Sequence, residues 1–185
     1  MRRTSSIIRP WSGSVGPVHI LLATDADWIV DEITAALGDD DVHFTVCREG
    51  RAVAREVEKQ TPDLAILDLQ IGSMGGMAVT MALRLDESAG ALPHVKVLML
   101  LDRRADIHLA RRSGAEGWLI KPLDALRLRH AADALEIGGT YTEGLPGDVS
   151  PVEPMVPLPP DTDVETDADA ETVSEQAEEE PATAG

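Results

Sequence analysis

Five short apolar segments, each followed by a pattern of helical periodicity, predict an α/β domain: a doubly wound, five-stranded parallel sheet with helices on both faces. Three observations carry this. The candidate strands are almost uniformly apolar, as strands covered on both faces are. The strand–helix unit repeats five times between residues 18 and 138. Right-handed crossovers leave few strand orders, and 2-1-3-4-5 is the natural one for five strands.

Val18 to Ala23 is the first strand candidate, followed at once by Thr24-Asp25-Ala26-Asp27. Ile29, Ile33, Ala36 and Leu37 recur at helical spacing, with Gly38 as the stop. Val42 to Val46 forms a second strand, and Ala52 to Lys59 a short helix with Val53 and Val57 four apart. The third strand, Leu64 to Leu69, is broken only by Asp68 and bounded by Pro62 and by Gly72, Gly75 and Gly76. Met77, Met81 and Leu85 mark the helix after it. Val95 to Leu101 is a fourth strand, then Ala105 to Ser113 a helix closed by Gly114. Trp118-Leu119-Ile120 is the fifth, running into Lys121-Pro122, and Leu123 to Ile137 is the last helix, ended by Gly138-Gly139.

The domain therefore spans residues 18–139. Residues 1–17 lack periodicity and read as a loose arm. Residues 140–185, Pro-rich and then acidic, bury too little apolar surface to offset chain entropy and read as a disordered tail. Of the 33 acids behind the formal net charge of −17, 12 lie in residues 146–185 with no Lys or Arg; the first 145 residues carry 21 acids against 16 bases. That mild acidity argues against direct DNA binding. Cys47 is the only cysteine, so no intrachain disulfide forms and a reducing, cytoplasmic setting is expected. No membrane span is expected, and no apolar stretch follows Arg2 and Arg3 to make a secretory signal.

Asp25, Asp68 and Lys121 share one situation: each follows or ends an apolar strand. In such sheets the crevice outside the carboxyl ends of the strands collects ligands. Two carboxylates and a lysine there suit a hard cation and a phosphoryl group. Mg²⁺ keeps waters, so Asp25, Asp68 and a main-chain carbonyl, that of Gln70, would suffice. Lys121 is a compact charge for a phosphate oxygen, and Asp68 can act as a nucleophile forming an aspartyl-phosphate. Pro122 permits a cis bond that would fix the approach of Lys121. The five histidines show no shared ligand spacing, so no transition-metal site is expected.

The stretch Pro-Asp-Leu-Ala-Ile-Leu-Asp-Leu (62–69), Gly76, Ser-Gly-Ala-Glu-Gly-Trp (113–118) and Leu-Ile-Lys-Pro-Leu (119–123) together resemble the receiver domain of two-component response regulators over residues 18–138. The resemblance implies a flavodoxin-like fold, Asp68 as phospho-acceptor, Asp25 as a metal-binding acid and Lys121 as the phosphate-binding lysine. Two departures make the chain atypical. Receivers usually carry adjacent acids after the first strand; here the pair is Thr24-Asp25, which weakens the Mg²⁺ site. Asp27 could compensate or merely cap the helix, and Thr24 reads as a cap rather than a ligand. The fourth strand of receivers normally ends in Ser or Thr, whereas Met99, Leu100 and Leu101 carry no hydroxyl. Trp118 takes the place of the aromatic that moves with that hydroxyl, and reads as half-buried. Met74, Met77, Met81 and Met99 read as core and loop filler.

Three functions compete. The first is a stand-alone receiver, phosphorylated by a sensor histidine kinase and signalling through an output protein. The second is a pseudo-receiver, an interaction module in which phosphorylation has lapsed. The third is a haloacid-dehalogenase-type phosphatase, from the Asp-x-Asp of Asp25 and Asp27, with Asp102 as its only late acid. The basic residues of 103–129 read as a solvated surface or as a face for an acidic partner, including residues 161–180 of the chain's own tail. The 104–137 face is also where a homodimer is expected.

Overall fold

The computed structural model describes residues 17–145. The expected arm and the tail from residue 146 onward lie outside the described residues. Strands β1 (Val18–Ala23), β2 (Val42–Cys47), β3 (Leu64–Asp68), β4 (Val97–Leu101) and β5 (Gly117–Ile120) form one parallel sheet in the order β2-β1-β3-β4-β5. Helices α1 (Asp27–Leu37), α2 (Val53–Lys59), α3 (Gly76–Ser88), α4 (Ile107–Ser113) and α5 (Ala125–Glu136) connect and cover them.

The strands read as unbroken apolar runs because both of their faces are covered. Ile20, Leu22, Leu64, Ile66, Leu98 and Leu100 pack with α1 and α5 through Ile29, Ile33, Leu128 and Leu135. The alternate residues Leu21, Ala23, Ala65, Leu67 and Val97 pack with α2 and α3 through Val53, Val57, Val79 and Leu83. Leu69, Met99, Leu101, Ala110 and Trp118 make a third cluster beside α4. No helix among the described residues is long and apolar enough to cross a membrane.

The structure corrects several expectations. β4 begins at Val97 rather than Val95, a 3-10 turn at Arg104–Asp106 precedes α4, and α5 begins only after Asp124, whose carboxylate accepts the Leu126 and Arg127 N–H groups. On α3 the buried residues are Gly76, Val79, Thr80 and Leu83, while Met81 and Leu85 are exposed. The helix turns its smallest residue to the sheet because it starts against β3: a Cβ on Gly76 would stand 2.6 Å from the Asp68 carbonyl oxygen.

Ordered structure also runs past Gly139, where the tail was expected to start. Tyr141 bridges Gly117 in parallel, and its carbonyl accepts the Trp118 N–H at 2.8 Å. The segment is held by hydrogen bonds to β5, whose residues are remote in sequence, so no local pattern marks it.

Candidate functional site

Asp68 is the last residue of β3 and only 3% exposed. A carboxylate so buried needs compensation. Its Oδ1 accepts the Lys121 ammonium at 2.8 Å and the Gln70 N–H at 3.1 Å, and its Oδ2 accepts the Thr24 hydroxyl at 3.1 Å. Lys121 arrives from the loop after β5, its backbone N–H on the Leu101 carbonyl at 2.8 Å, and the Lys121–Pro122 peptide bond is cis. The structure thus brings Asp68 and Lys121 into contact at the carboxyl edge of the sheet. Asp25 is exposed beside them, with Oδ2 accepting the Gly72 N–H at 3.3 Å.

Three neighbours differ from expectation. Thr24 is buried and does more than cap: its hydroxyl oxygen accepts the Ala26 N–H at 3.2 Å while donating to Asp68. Asp27 neither caps α1 nor joins the acids; it pairs with Arg48 at 2.6 Å. Trp118 is buried rather than half-buried, and its indole N–H donates to the Glu143 carbonyl at 2.9 Å. Sequence reasoning missed Asp102 as a partner of Lys121, whose ammonium it accepts at 3.0 Å, although Asp102 follows β4 directly and Asp25 follows β1 only after Thr24. It also missed Trp28, whose ring centroid lies 5.9 Å from the Lys121 ammonium. Asp27 and Asp102, the further acids of the phosphatase reading, pair with Arg48 and Lys121 respectively.

The donors suit Mg²⁺. The oxygens expected to hold it, from Asp25, Asp68 and the Gln70 carbonyl, are of the hard class that this cation takes. Among the described residues no three His, Cys, Asp or Glu side chains are grouped to hold a metal. Much of the basic face at 103–129 is spoken for internally: Arg103 bonds Asp106, Arg104 the Gly144 carbonyl, Arg127 Glu143 and Arg129 the Ala36 carbonyl. Hydrogen bonding to Glu143 outweighs burial and pushes the Arg127 guanidinium above its already high pKa.

A match to the family described as response regulator receiver domain spans residues 20–133. The chain belongs to that family. This receiver is 29% identical over 147 residues, covering 68% of its length, to the transcriptional regulatory protein CseB of Streptomyces coelicolor. It is 28% identical over 106 residues, 56% of its length, to the DNA-binding response regulator MtrA of Mycobacterium tuberculosis. It covers 60% and 44% of those two relatives' own lengths. Among solved structures, the chemotaxis response regulator CheY4 of Vibrio cholerae superposes with a TM-score of 0.53 at 23% identity, covering 60% of this chain and 92% of that one. The receiver domain of a NarL response regulator from Mycobacterium tuberculosis does so at 0.57 and 24%, covering 66% and 98%. These structures share the fold. As a receiver, the domain is regulatory and belongs to two-component signalling.

Proposed function

We propose that the chain accepts a phosphoryl group on Asp68 from a sensor histidine kinase and passes the signal on through contacts with an output protein. The observation that supports this is the Lys121 ammonium 2.8 Å from a carboxylate that is almost wholly buried yet sits at the mouth of the sheet. In the transfer an Asp68 oxygen attacks phosphorus, and the P–N bond to the kinase imidazole breaks with its electron pair going to nitrogen, which takes up a proton. Oδ2, held by one neutral hydroxyl, has the lone pairs least engaged. Lys121 stays on Oδ1 and sets its charge against the phosphoryl oxygens.

Mg²⁺, held by Asp25, Asp68 and the Gln70 carbonyl, would supply neutralising charge for the entering group. Thr24 in place of a second adjacent acid makes that site weaker than one with two. We place this exchange in the cytoplasm, with no direct DNA contact by the mildly acidic domain; DNA binding is a property that the name of the MtrA relative states for that protein.

A second reading, a phosphorylation-independent interaction module, is favoured by one feature: β4 ends in buried Leu101, without the hydroxyl that would read a phosphoryl group. Titrating the full chain with Mg²⁺ and beryllofluoride separates the readings by ¹⁹F NMR. A bound signal lost in Asp68→Asn is the expected result. No binding supports the module, and binding that survives Asp68→Asn but disappears in Asp25→Asn supports the phosphatase.

A further inference from the structure

Residues 141–145 leave α5 through Gly138 and Gly139 and run beside β5. Leu145 packs into the cluster of Leu69, Met99, Leu101, Ala110 and Trp118, and Arg104 donates to the Gly144 carbonyl at 2.9 Å. This segment lies beyond residue 133, where the receiver match stops. Apolar contact and backbone pairing would suffice to hold it, yet its centre is a buried carboxylate, Glu143, 4% exposed.

The Glu143 carboxylate faces the strand end that carries Lys121. Its Oε2 accepts the Ile120 N–H at 2.8 Å, and its Oε1 accepts the Tyr141 hydroxyl at 3.2 Å. Arg127 meets it with two donors, Nε on Oε1 at 2.7 Å and Nη2 on Oε2. The same guanidinium donates to the Ile120 carbonyl at 2.8 Å and to the Pro122 carbonyl at 2.9 Å. The residue before Lys121 is therefore gripped at both N–H and C=O, and the residue after it at C=O. A planar five-donor fork is the side chain suited to such a clamp. A buried pair of this kind is a weak source of net stability but a strong source of defined geometry, since breaking it leaves a charge stranded.

We propose that Glu143, acting through Arg127, is a positioning residue for Lys121, so that docking of residues 141–145 on β5 is linked to what occupies Asp68. The inference rests on the phospho-acceptor reading of that residue. A phosphoryl group binds best when Lys121 is held where the clamp holds it. Reciprocity then requires that an occupied Asp68 hold the segment more tightly on β5. This gives the domain a route that needs no hydroxyl at the end of β4: the carbonyl of Glu143 already holds the Trp118 indole at 2.9 Å, so the segment and the tryptophan move or stay together. The element that reports the state of the site is then the segment of residues 141–145 itself.

The test uses the full chain, with Mg²⁺ and beryllofluoride as probe, at a temperature where each variant is folded. Beryllofluoride is expected to slow hydrogen exchange at the Trp118 backbone and indole N–H groups severalfold. Glu143→Gln, which keeps the shape and removes the charge, is expected to weaken analogue binding about tenfold. Arg104→Ala, which loosens the segment at Gly144 without touching the clamp, should weaken it less and in the same direction. Should Glu143→Gln fail to fold, the exchange measurement and Arg104→Ala decide. Unchanged analogue affinity in the variants, or exchange at Trp118 indifferent to the analogue, overturns the proposal while leaving Asp68 as acceptor. A wild-type chain that binds no analogue overturns both.

Discussion

Asp68 and Asp133 are carboxylates removed from water to different effect. Asp68 collects an ammonium, a hydroxyl and a backbone N–H, so its charge is answered on each oxygen. Asp133 on α5 has a buried Oδ1 with no hydrogen-bond partner among the described residues, and desolvation pushes its carboxyl above the ordinary value while His130 and Arg129 oppose the rise. The folded state thus holds that proton more tightly than the unfolded chain does. An ionised Asp133 costs stability at neutral pH, and the cost fades as pH falls through the raised folded pKa. Asp133→Asn is expected to be more stable than wild type at neutral pH by less than about 1 kcal/mol, because the rest of the side chain reaches solvent. In urea melts the gap should close on mild acidification; a gap that widens would contradict the assignment.

At the scale of elements, the start of α3 fixes the edge of the site. Gly76 lies against β3 so closely that a Cβ would meet the Asp68 carbonyl oxygen at 2.6 Å and the Leu69 Cα at 3.1 Å, both backbone atoms. Gly76→Ala must therefore push the helix or the strand end aside, at a cost of about 1–3 kcal/mol, read as a lowered urea midpoint with an unchanged slope. The same helix marks where sequence stops being informative. Met77, Met81 and Leu85 form an apolar stripe, but Gly76, Val79, Thr80 and Leu83 form another, and only the close approach of backbones decides which one faces inward. Thr80 can be buried because its hydroxyl donates to the Gly76 carbonyl at 2.8 Å. The strands were legible because covering both faces demands unbroken apolar runs. Asp68 and Lys121 were legible as neighbours because one ends such a run and the other follows one directly, whereas Asp25, one residue further from its strand, accepts the Gly72 N–H. The Thr24 bond to Asp68 and the hold of Asp102 on Lys121 were not legible, since a hydroxyl or an acid beside a strand end reads equally well as a cap.

For the whole molecule the open question is where the folding unit ends. Sequence texture puts the boundary at Gly139, after the last helical periodicity, whereas β5 would then be an uncovered edge, which folded domains avoid. Residues 141–145 supply that cover, and they carry no periodicity by which to be noticed: one tyrosine, one acid and one leucine, each meaningful only through Gly117, Arg127 or the α4 cluster. A homodimer through the 104–137 face would have to work around this segment or displace it. Two truncated chains distinguish the boundaries, one ending at Gly139 and one at Leu145. The shorter loses Glu143 and leaves the Arg127 guanidinium, 23% exposed at its side chain, without its carboxylate. Truncation also opens this guanidinium to water, and it keeps the Ile120 and Pro122 carbonyls, so losing the carboxylate costs about 1–3 kcal/mol rather than the full penalty of a buried pair, to which the bare Trp118 indole N–H adds. The chain ending at Leu145 is expected to match the full chain in urea denaturation, and the chain ending at Gly139 to fall short by about 1–3 kcal/mol, with self-association by light scattering as its exposed edge finds partners. Equal stability of the two would mean that the segment rests on β5 without holding it.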